Sequence, residues 1–223
     1  MKIRMKFLLI VLITIVLAPL STTHAQNETT SSQELQSIKK VGIIIGSTRP
    51  GRLGEQVAQW ISDEVSQTPG IKFSLIDLAA WNLPLFNEPG MPSKGQYTHD
   101  YTRKWSKEIN AYDAFIFVTP EYNGGYPASM KNAIDYLYKE WTGKPAIIVS
   151  YGYGGGEGAA AQLRQVLEGG IDMRLTKTMP AIRLKKEMLK DGKLAKPDQD
   201  FVPYIPSMQA SIEELKTLIG TTS

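Results

Sequence analysis

Two arginines stand among glycine and hydroxyl residues in the segment Gly46-Ser47-Thr48-Arg49-Pro50-Gly51-Arg52. Guanidinium groups present forked donors that match phosphate oxygens. The turn's backbone N–H groups can converge on one anion. The apolar, β-branched run at 41–45 before this segment reads as a strand buried on both faces. After it, Leu53, Val57, Trp60 and Ile61 fall at helical spacing. A strand, a polar turn and a helix N-terminus together make an anion site, because the helix dipole adds partial positive charge. The segment fits neither G-x-G-x-x-G nor G-x-x-x-x-G-K-[ST], so the dinucleotide fingerprint and the triphosphate-binding loop are both absent. The competing reading is a surface turn that happens to carry arginines.

Two further stretches have the same character. Pro120-Glu121-Tyr122-Asn123-Gly124-Gly125-Tyr126-Pro127 pairs glycines with aromatic neighbours. Glycine lets backbone N–H groups approach a flat ring, since no Cβ intervenes, and tyrosines can flank that ring. Ser150-Tyr151-Gly152-Tyr153-Gly154 opens a run that is almost all glycine and tyrosine. A phosphate at one end and a flat, hydrogen-bonding heterocycle at the other describe a mononucleotide such as FMN. Alternatively, the prolines shape turns and the tyrosines belong to the core or an interface.

These stretches need elements to position them. The sequence predicts strands at 41–45, 71–78, 114–119, 146–150 and 173–178. It predicts helices at 53–65, 101–111, 128–138, 159–167 and 205–219. Residues 79–100, broken by Pro84, Pro89, Gly90, Pro92 and Gly95, read as a long loop without structure. Its apolar half, Trp81, Leu83, Leu85 and Phe86, could pack beneath it or cover a ligand or second subunit. Residues 181–196 are charged, with an Asp191-Gly192 turn. Strands alternating with helices argue for an α/β doubly wound fold, a five-stranded parallel sheet with helices on both faces. Ligands in such sheets bind outside the carboxyl ends of the strands. The three stretches follow predicted strands one, three and four, so they converge on one edge.

Composition bounds the rest. Cysteine is absent, which excludes disulfides, thiol nucleophiles and thiolate metal sites. His24 and His99 are the only histidines, too few for a typical zinc or iron centre, and no metal ligands are assigned. A Ser–His–Asp triad could draw only on His99, and no G-x-S-x-G elbow is present. Residues 1–25 combine a basic start, a short apolar run and a Thr-His-Ala ending, which predicts a cleaved signal peptide and an exported, periplasmic or secreted protein. An uncleaved membrane anchor is the alternative. Residues 26–38 read as a polar linker and 39–221 as one domain. The leader inflates the net charge of +3, so no nucleic-acid partner follows from it.

GSTRPGR with its helix, PEYNGGYPASMKNAIDYLY and SYGYGGGEGAAAQLRQVL together resemble the NADPH-dependent FMN reductase family, flavodoxin-like proteins that include quinone, azo-dye and chromate reductases. The resemblance spans about 41–182, and the PEYNGG-P-x-x-x-K-N-x-I-D run is its strongest part. It implies a flavodoxin-like sheet and FMN as cofactor. The FMN phosphate would lie at Ser47, Thr48, Arg49 and Arg52. The flavin would lie along Pro120, Glu121, Tyr122, Asn123 and Gly124, beneath Ser150, Tyr151, Gly152 and Gly154. It further implies hydride transfer from NADPH or NADH to a quinone, free flavin or similar small-molecule acceptor, and a homodimer or homotetramer. No side-chain acid or base need act; backbone N–H groups of Asn123, Gly124 and Gly125 are the candidates for stabilising charge on the reduced ring. The second expectation is an exported FMN-binding electron-transfer module without NAD(P)H turnover.

Overall fold

The computed structural model describes residues 38–220. The predicted signal peptide, and all but the last residue of the predicted linker, lie outside the described residues. Five strands run parallel in the order β2-β1-β3-β4-β5, with β1 at Lys39–Ile45, β2 at Ile71–Asp77, β3 at Ala114–Pro120, β4 at Pro145–Gly152 and β5 at Arg174–Leu175. A sixth strand, β6 at Ala181–Arg183, also pairs with β4. The strand order reverses between β1 and β3, which places a crevice above their carboxyl ends.

The helices are α1 (Gly54–Val65), the one-turn α2 (Leu78–Trp81), α3 (Asp100–Asn110), α4 (Ala128–Asp135), α5 (Glu157–Arg164), the short α6 (Pro197–Asp200) and α7 (Ile205–Gly220). Side chains alternate across each strand, so the sheet buries two faces. Val41, Ile43, Ile116, Val118 and Val149 meet Val57, Ile61, Met208 and Leu215 of α1 and α7. Ile44, Phe115, Phe117 and Ile148 meet Trp105, Met130, Ile134 and Leu163 of α3, α4 and α5. The stripe predicted for a helix at 128–138 is buried as expected, with Met130, Ala133, Ile134 and Leu137 all at 3% exposure or less, although α4 ends at Asp135 and Leu137 lies just beyond it.

The far edge departs from the expectation of one strand at 173–178. β5 pairs only with the start of β4 (Pro145↔Arg174, Ala146↔Leu175) and β6 only with its end (Ser150↔Ala181, Gly152↔Arg183). Between them the chain swings out to α7, where the Glu214 carboxylate accepts from Lys177 N, Thr178 N and Thr178 Oγ1. The predicted helix at 159–167 also changes character: after Arg164 it continues as a π-helix, Gln165–Gly170.

The segment after β2 is not structureless. It holds α2 and a 3-10 turn at Pro92–Lys94. Asn132 of α4 donates from Nδ2 to Pro84 O and accepts Phe86 N, both at 2.7 Å. Trp81 packs edge-on against Trp105, and Glu88 accepts Thr98 N and His99 N. Leu85, at 83% exposure, faces solvent. Among the described residues no helix is long and apolar enough to cross a membrane.

Candidate active site

The first loop leaves β1 at Gly46, whose amide donates to Val118 O and whose carbonyl accepts from Ser129 Oγ at 2.5 Å. Those two bonds tie the loop to β3 and α4. Ser47 is fully buried, and its hydroxyl lies 2.6 Å from the Tyr122 hydroxyl, joining the first loop to the one after β3. Arg52 closes the loop on itself. Its Nη1 donates to Ser47 O at 2.8 Å, Nη2 to Asp77 Oδ2 at 2.7 Å, and Nε and Nη2 both meet Glu55. Burial opposes its charge, but the hydrogen bond to Glu55 and the charge of Asp77 outweigh it and hold the guanidinium above the ordinary arginine pKa. One Nη1 hydrogen remains for a ligand.

Arg49 differs. Its carbonyl accepts Arg52 N at 3.1 Å, but its side chain is exposed and makes no hydrogen bond or ion pair with the described residues. Thr48 is exposed beside it. The sequence treats Arg49 and Arg52 alike; the structure makes one a clamp and leaves the other free. What separates them is Asp77 at the end of β2, twenty-five residues away from Arg52 and without any local sequence signal.

After β3 the chain makes a two-residue hairpin. Tyr122 N donates to Gly125 O at 2.8 Å and Gly125 N to Tyr122 O at 3.0 Å. Asn123 and Gly124 both have positive φ, 52° and 78°. This is the type I′ geometry that Asn-Gly favours, because glycine carries no Cβ penalty there and asparagine tolerates the left-handed region. The Asn123 and Gly124 amides therefore have no partner among the described residues, whereas the Gly125 amide closes the turn. Gly125 accordingly drops out as a donor to a ligand. Gln162 of α5 braces the turn by donating to Gly124 O at 3.1 Å. Glu121 accepts Ala159 N at 3.1 Å in the first turn of α5, a structural use of a carboxylate at a strand end.

The loop after β4 begins at Ser150, whose hydroxyl donates to Gly155 O at 2.8 Å. Tyr151 points back toward the first loop. Its hydroxyl lies where a Cβ on Gly54 would come within 2.6 Å, so only glycine at the start of α1 admits it. Burial, and next the Tyr122 phenol, raise the Tyr151 pKa, keeping it a neutral hydroxyl. Gly152 and Gly154 follow, and added Cβ atoms there would meet nothing closer than 3.8 Å.

The three loops enclose a cavity of about 410 Å³, lined among others by Arg49, Pro120, Tyr122, Tyr151 and Gly152. That lies within the usual size range of small-molecule sites. Its remaining wall was not anticipated as part of the site. Leu184 follows β6, and Leu189 and Gly192 belong to a hairpin of β7 (Leu189–Lys190) and β8 (Lys193–Leu194). The Asp191-Gly192 turn was legible, but not its place against the first loop.

The NADPH-dependent FMN reductase family matches this chain over residues 39–183. The chain belongs to that family. It is accordingly an oxidoreductase with FMN as cofactor and NAD(P)H as electron donor. An NAD(P)H-dependent FMN reductase of Schizosaccharomyces pombe is 39% identical over 186 residues, covering 82% of this chain and 92% of that protein. A quinone reductase of Pseudomonas putida is 32% identical over 140 residues, 60% of this chain and 72% of that protein. The fold is that of FerB, a flavoenzyme NAD(P)H:(acceptor) oxidoreductase from Paracoccus denitrificans, with a TM-score of 0.63 at 23% identity over 81% of this chain and 98% of that one. The architecture is flavodoxin-like, as the resemblance implied.

The site residues fit the family's cofactor. An unpaired guanidinium stands at a helix N-terminus for a phosphate, two unpaired amides face out from a glycine turn, and the floor beside them is glycine. All thirteen predicted site residues lie on the three loops or at the strand ends that carry them. Ser47, Glu121 and Ser150 already make internal hydrogen bonds through their side chains.

Proposed function

We propose that the protein oxidises NAD(P)H and passes the hydride through FMN to a quinone, free flavin or related small acceptor. The observation that carries this reading is that Arg49, whose guanidinium has no internal partner, lines one cavity with Tyr122, Tyr151 and Gly152, while the unpartnered Asn123 and Gly124 amides stand in the turn directly after Tyr122. Arg49 holds the phosphate by a charge-assisted contact. The Asn123 and Gly124 amides donate to the polar edge of the ring and stabilise negative charge there. Tyr122 flanks the slot, and its bond to Ser47 keeps the phosphate loop and the ring loop in register. Bound FMN supplies the hydride acceptance and donation that no side chain of this chain offers.

The test is acceptor-dependent oxidation of NADPH and NADH by the FMN-loaded protein, with menadione and free FMN as acceptors. Turnover with either acceptor supports the reading. A yellow protein that stably holds FMN yet oxidises neither donor would make it an electron-transfer module instead.

Two further statements belong to this proposal. The basic start, short apolar run and Thr-His-Ala ending support export with cleavage near Gln26, and N-terminal sequencing of the exported protein checks it. Leu85, Phe86 and Met91, all exposed within the segment after β2, support a homo-oligomer. Light scattering that returns the mass of a single chain would refute that.

A further inference from the structure

A second cavity, of about 600 Å³, adjoins the first. The two share Arg49, Gly51, Arg52 and Gly192 as a common wall. Beyond that wall the second is lined by Glu55 and Gln56 of α1 and by Asp191 and Lys193 at the tip of the β7–β8 hairpin. The first loop lines it through Thr48, Arg49, Pro50, Gly51 and Arg52, whereas neither the loop after β3 nor the loop after β4 reaches it. We infer that this cavity receives the phosphate-bearing adenylate half of the nicotinamide donor, with Lys190 and Lys193 as its recognising cations. The inference rests on the hydride-transfer reading above and extends it to the chemistry that selects the donor.

Three observations carry it. The first is charge. Residues 183–196 hold Arg183, Lys185, Lys186, Lys190, Lys193 and Lys196 against Glu187 and Asp191, six positive less two negative, a balance of +4. All six cations are exposed, and none makes an ion pair with the described residues. In the cavity itself Arg52 is ion-paired with two carboxylates, Glu55 and Asp77. Arg49 and Lys193 are its lining cations without an ion pair among the described residues, and Asp191 its lining carboxylate without one.

The second is rigidity. Gln56 donates to Leu194 O at 3.0 Å and accepts Leu194 N at 2.9 Å, which fixes the hairpin to α1. Leu194 is buried and Leu189 packs against the same core. Leu189 pairs with Leu194, and Lys190 with Lys193. Because strand side chains alternate, the two lysines share the opposite, outward face. Asp191 and Gly192, at φ 51° and 75°, make the two-residue turn that sets them side by side. The backbone that carries the cations is thus held in place, which lowers the ordering cost of capturing an anion.

The third is position. FMN brings a single phosphate, for which Arg49 on the shared wall suffices. A dinucleotide with its nicotinamide in the first cavity must send its diphosphate and adenosine elsewhere. The second cavity shares Arg49 and Gly192 with the first. The hairpin also lies beyond the 39–183 stretch of the family match, so that match does not account for its lysines.

The experiment uses the FMN-loaded full chain. Calorimetric titration with ADP-ribose and 2′-phospho-ADP-ribose measures binding without turnover, and steady-state kinetics with NADH and NADPH run alongside. In the double variant Lys190→Ala/Lys193→Ala, affinity for the phosphorylated probe should fall about tenfold. KM for the matching donor should rise by a similar factor, with kcat and FMN content near wild type. Lys196→Ala removes the same charge from the same segment outside the cavity and should change less than about twofold. A loss confined to the 2′-phosphorylated probe and NADPH assigns the lysines to the 2′-phosphate. An equal loss for both probes assigns them to the diphosphate. Either result supports the subsite. Unchanged affinity for both probes in the double variant overturns it, even if the protein oxidises NAD(P)H. Lysine-dependent probe binding by a protein that oxidises neither donor would instead retain the subsite and sink the catalytic reading.

Discussion

The two ends of the same sheet are built on different principles. At the amino ends of the strands, polar groups find partners within the protein. The Asp113 carboxylate accepts Lys40 N at 2.8 Å and faces Lys39 Nζ at 3.4 Å. Lys144 Nζ donates to Ile109 O, and Arg174 Nε to Gly143 O, both at 2.8 Å. At the carboxyl ends, Arg49 and the Asn123 and Gly124 amides have no such partner. Leaving donors unpaired is tolerable only where water or a ligand can reach them. The difference teaches that function sits where the fold declines to satisfy its own donors, and that one loop can contain both kinds of residue.

Arg52 and Arg49 test that distinction most sharply. Arg52 has 9% of its side chain exposed and three acceptor groups around it. Arg52→Ala would leave the Asp77 carboxylate without its cation and the Ser47 carbonyl without its donor. We expect unfolding free energy to drop by about 3 kcal/mol. Urea denaturation of the FMN-free protein measures this without ligand stabilisation. Were Arg52→Ala as stable as wild type, the clamp would be dispensable and the two arginines equivalent.

Arg49→Ala should show the converse. Stability without FMN should stay within about 0.5 kcal/mol, because the side chain is exposed and makes no hydrogen bond or ion pair with the described residues. Affinity for FMN should fall by roughly 1.5–3 kcal/mol, about tenfold to more than a hundredfold. Riboflavin, which lacks the phosphate, should bind the variant almost as it binds wild type. Arg49→Lys should recover part of the loss, since an ammonium lacks the planar fork. Fluorescence titration with both flavins separates the cases, and an equal loss for the two would refute the phosphate assignment.

Much of this arrangement is legible in the sequence for a physical reason. A buried parallel strand must be apolar throughout, so β1, β3 and β4 declare themselves, and the glycine-rich loops after them mark the sheet edge that matters. What escapes is long-range. The pairing of Arg52 with Asp77 joins two ordinary charged residues through β1–β2 register. The division of the far edge into β5 and β6 depends on Glu214, which reaches Thr178 from the last helix. The charged stretch after β6, with its Asp191-Gly192 turn, has no local signal of its place until Gln56 is seen holding Leu194. In each case the local sequence fits several structures, and a partner distant in the chain selects one.

The mildest prediction concerns the amino end. Burial lowers the Lys144 pKa from 10.5 to about 8, although Asp113 and Glu140 pull the other way. Below pH 8 both folded and unfolded chains hold this proton, and the folded one bears the cost of a partly buried charge. Between pH 8 and 10.5 the unfolded chain binds more proton, so stability should rise with pH and then level off. Tyr112 and Tyr136, each raised to about 12, oppose this only once unfolded tyrosines ionise near pH 10. The window is therefore pH 8–10. The ammonium is not wholly shielded from water, so the gain should be about 1 kcal/mol rather than the full shift. In Lys144→Met that slope should vanish. Stability at pH 7 should change little, because losing the bond to Ile109 O offsets relief of the charge. FMN affinity should not move, since Lys144 lies at the opposite end of β4 from the loops. Denaturation curves at pH 7.5 and 9.5 for both proteins decide it: parallel pH dependence would mean a fully solvated Lys144, and weakened FMN binding would erase the separation between the two ends of the sheet.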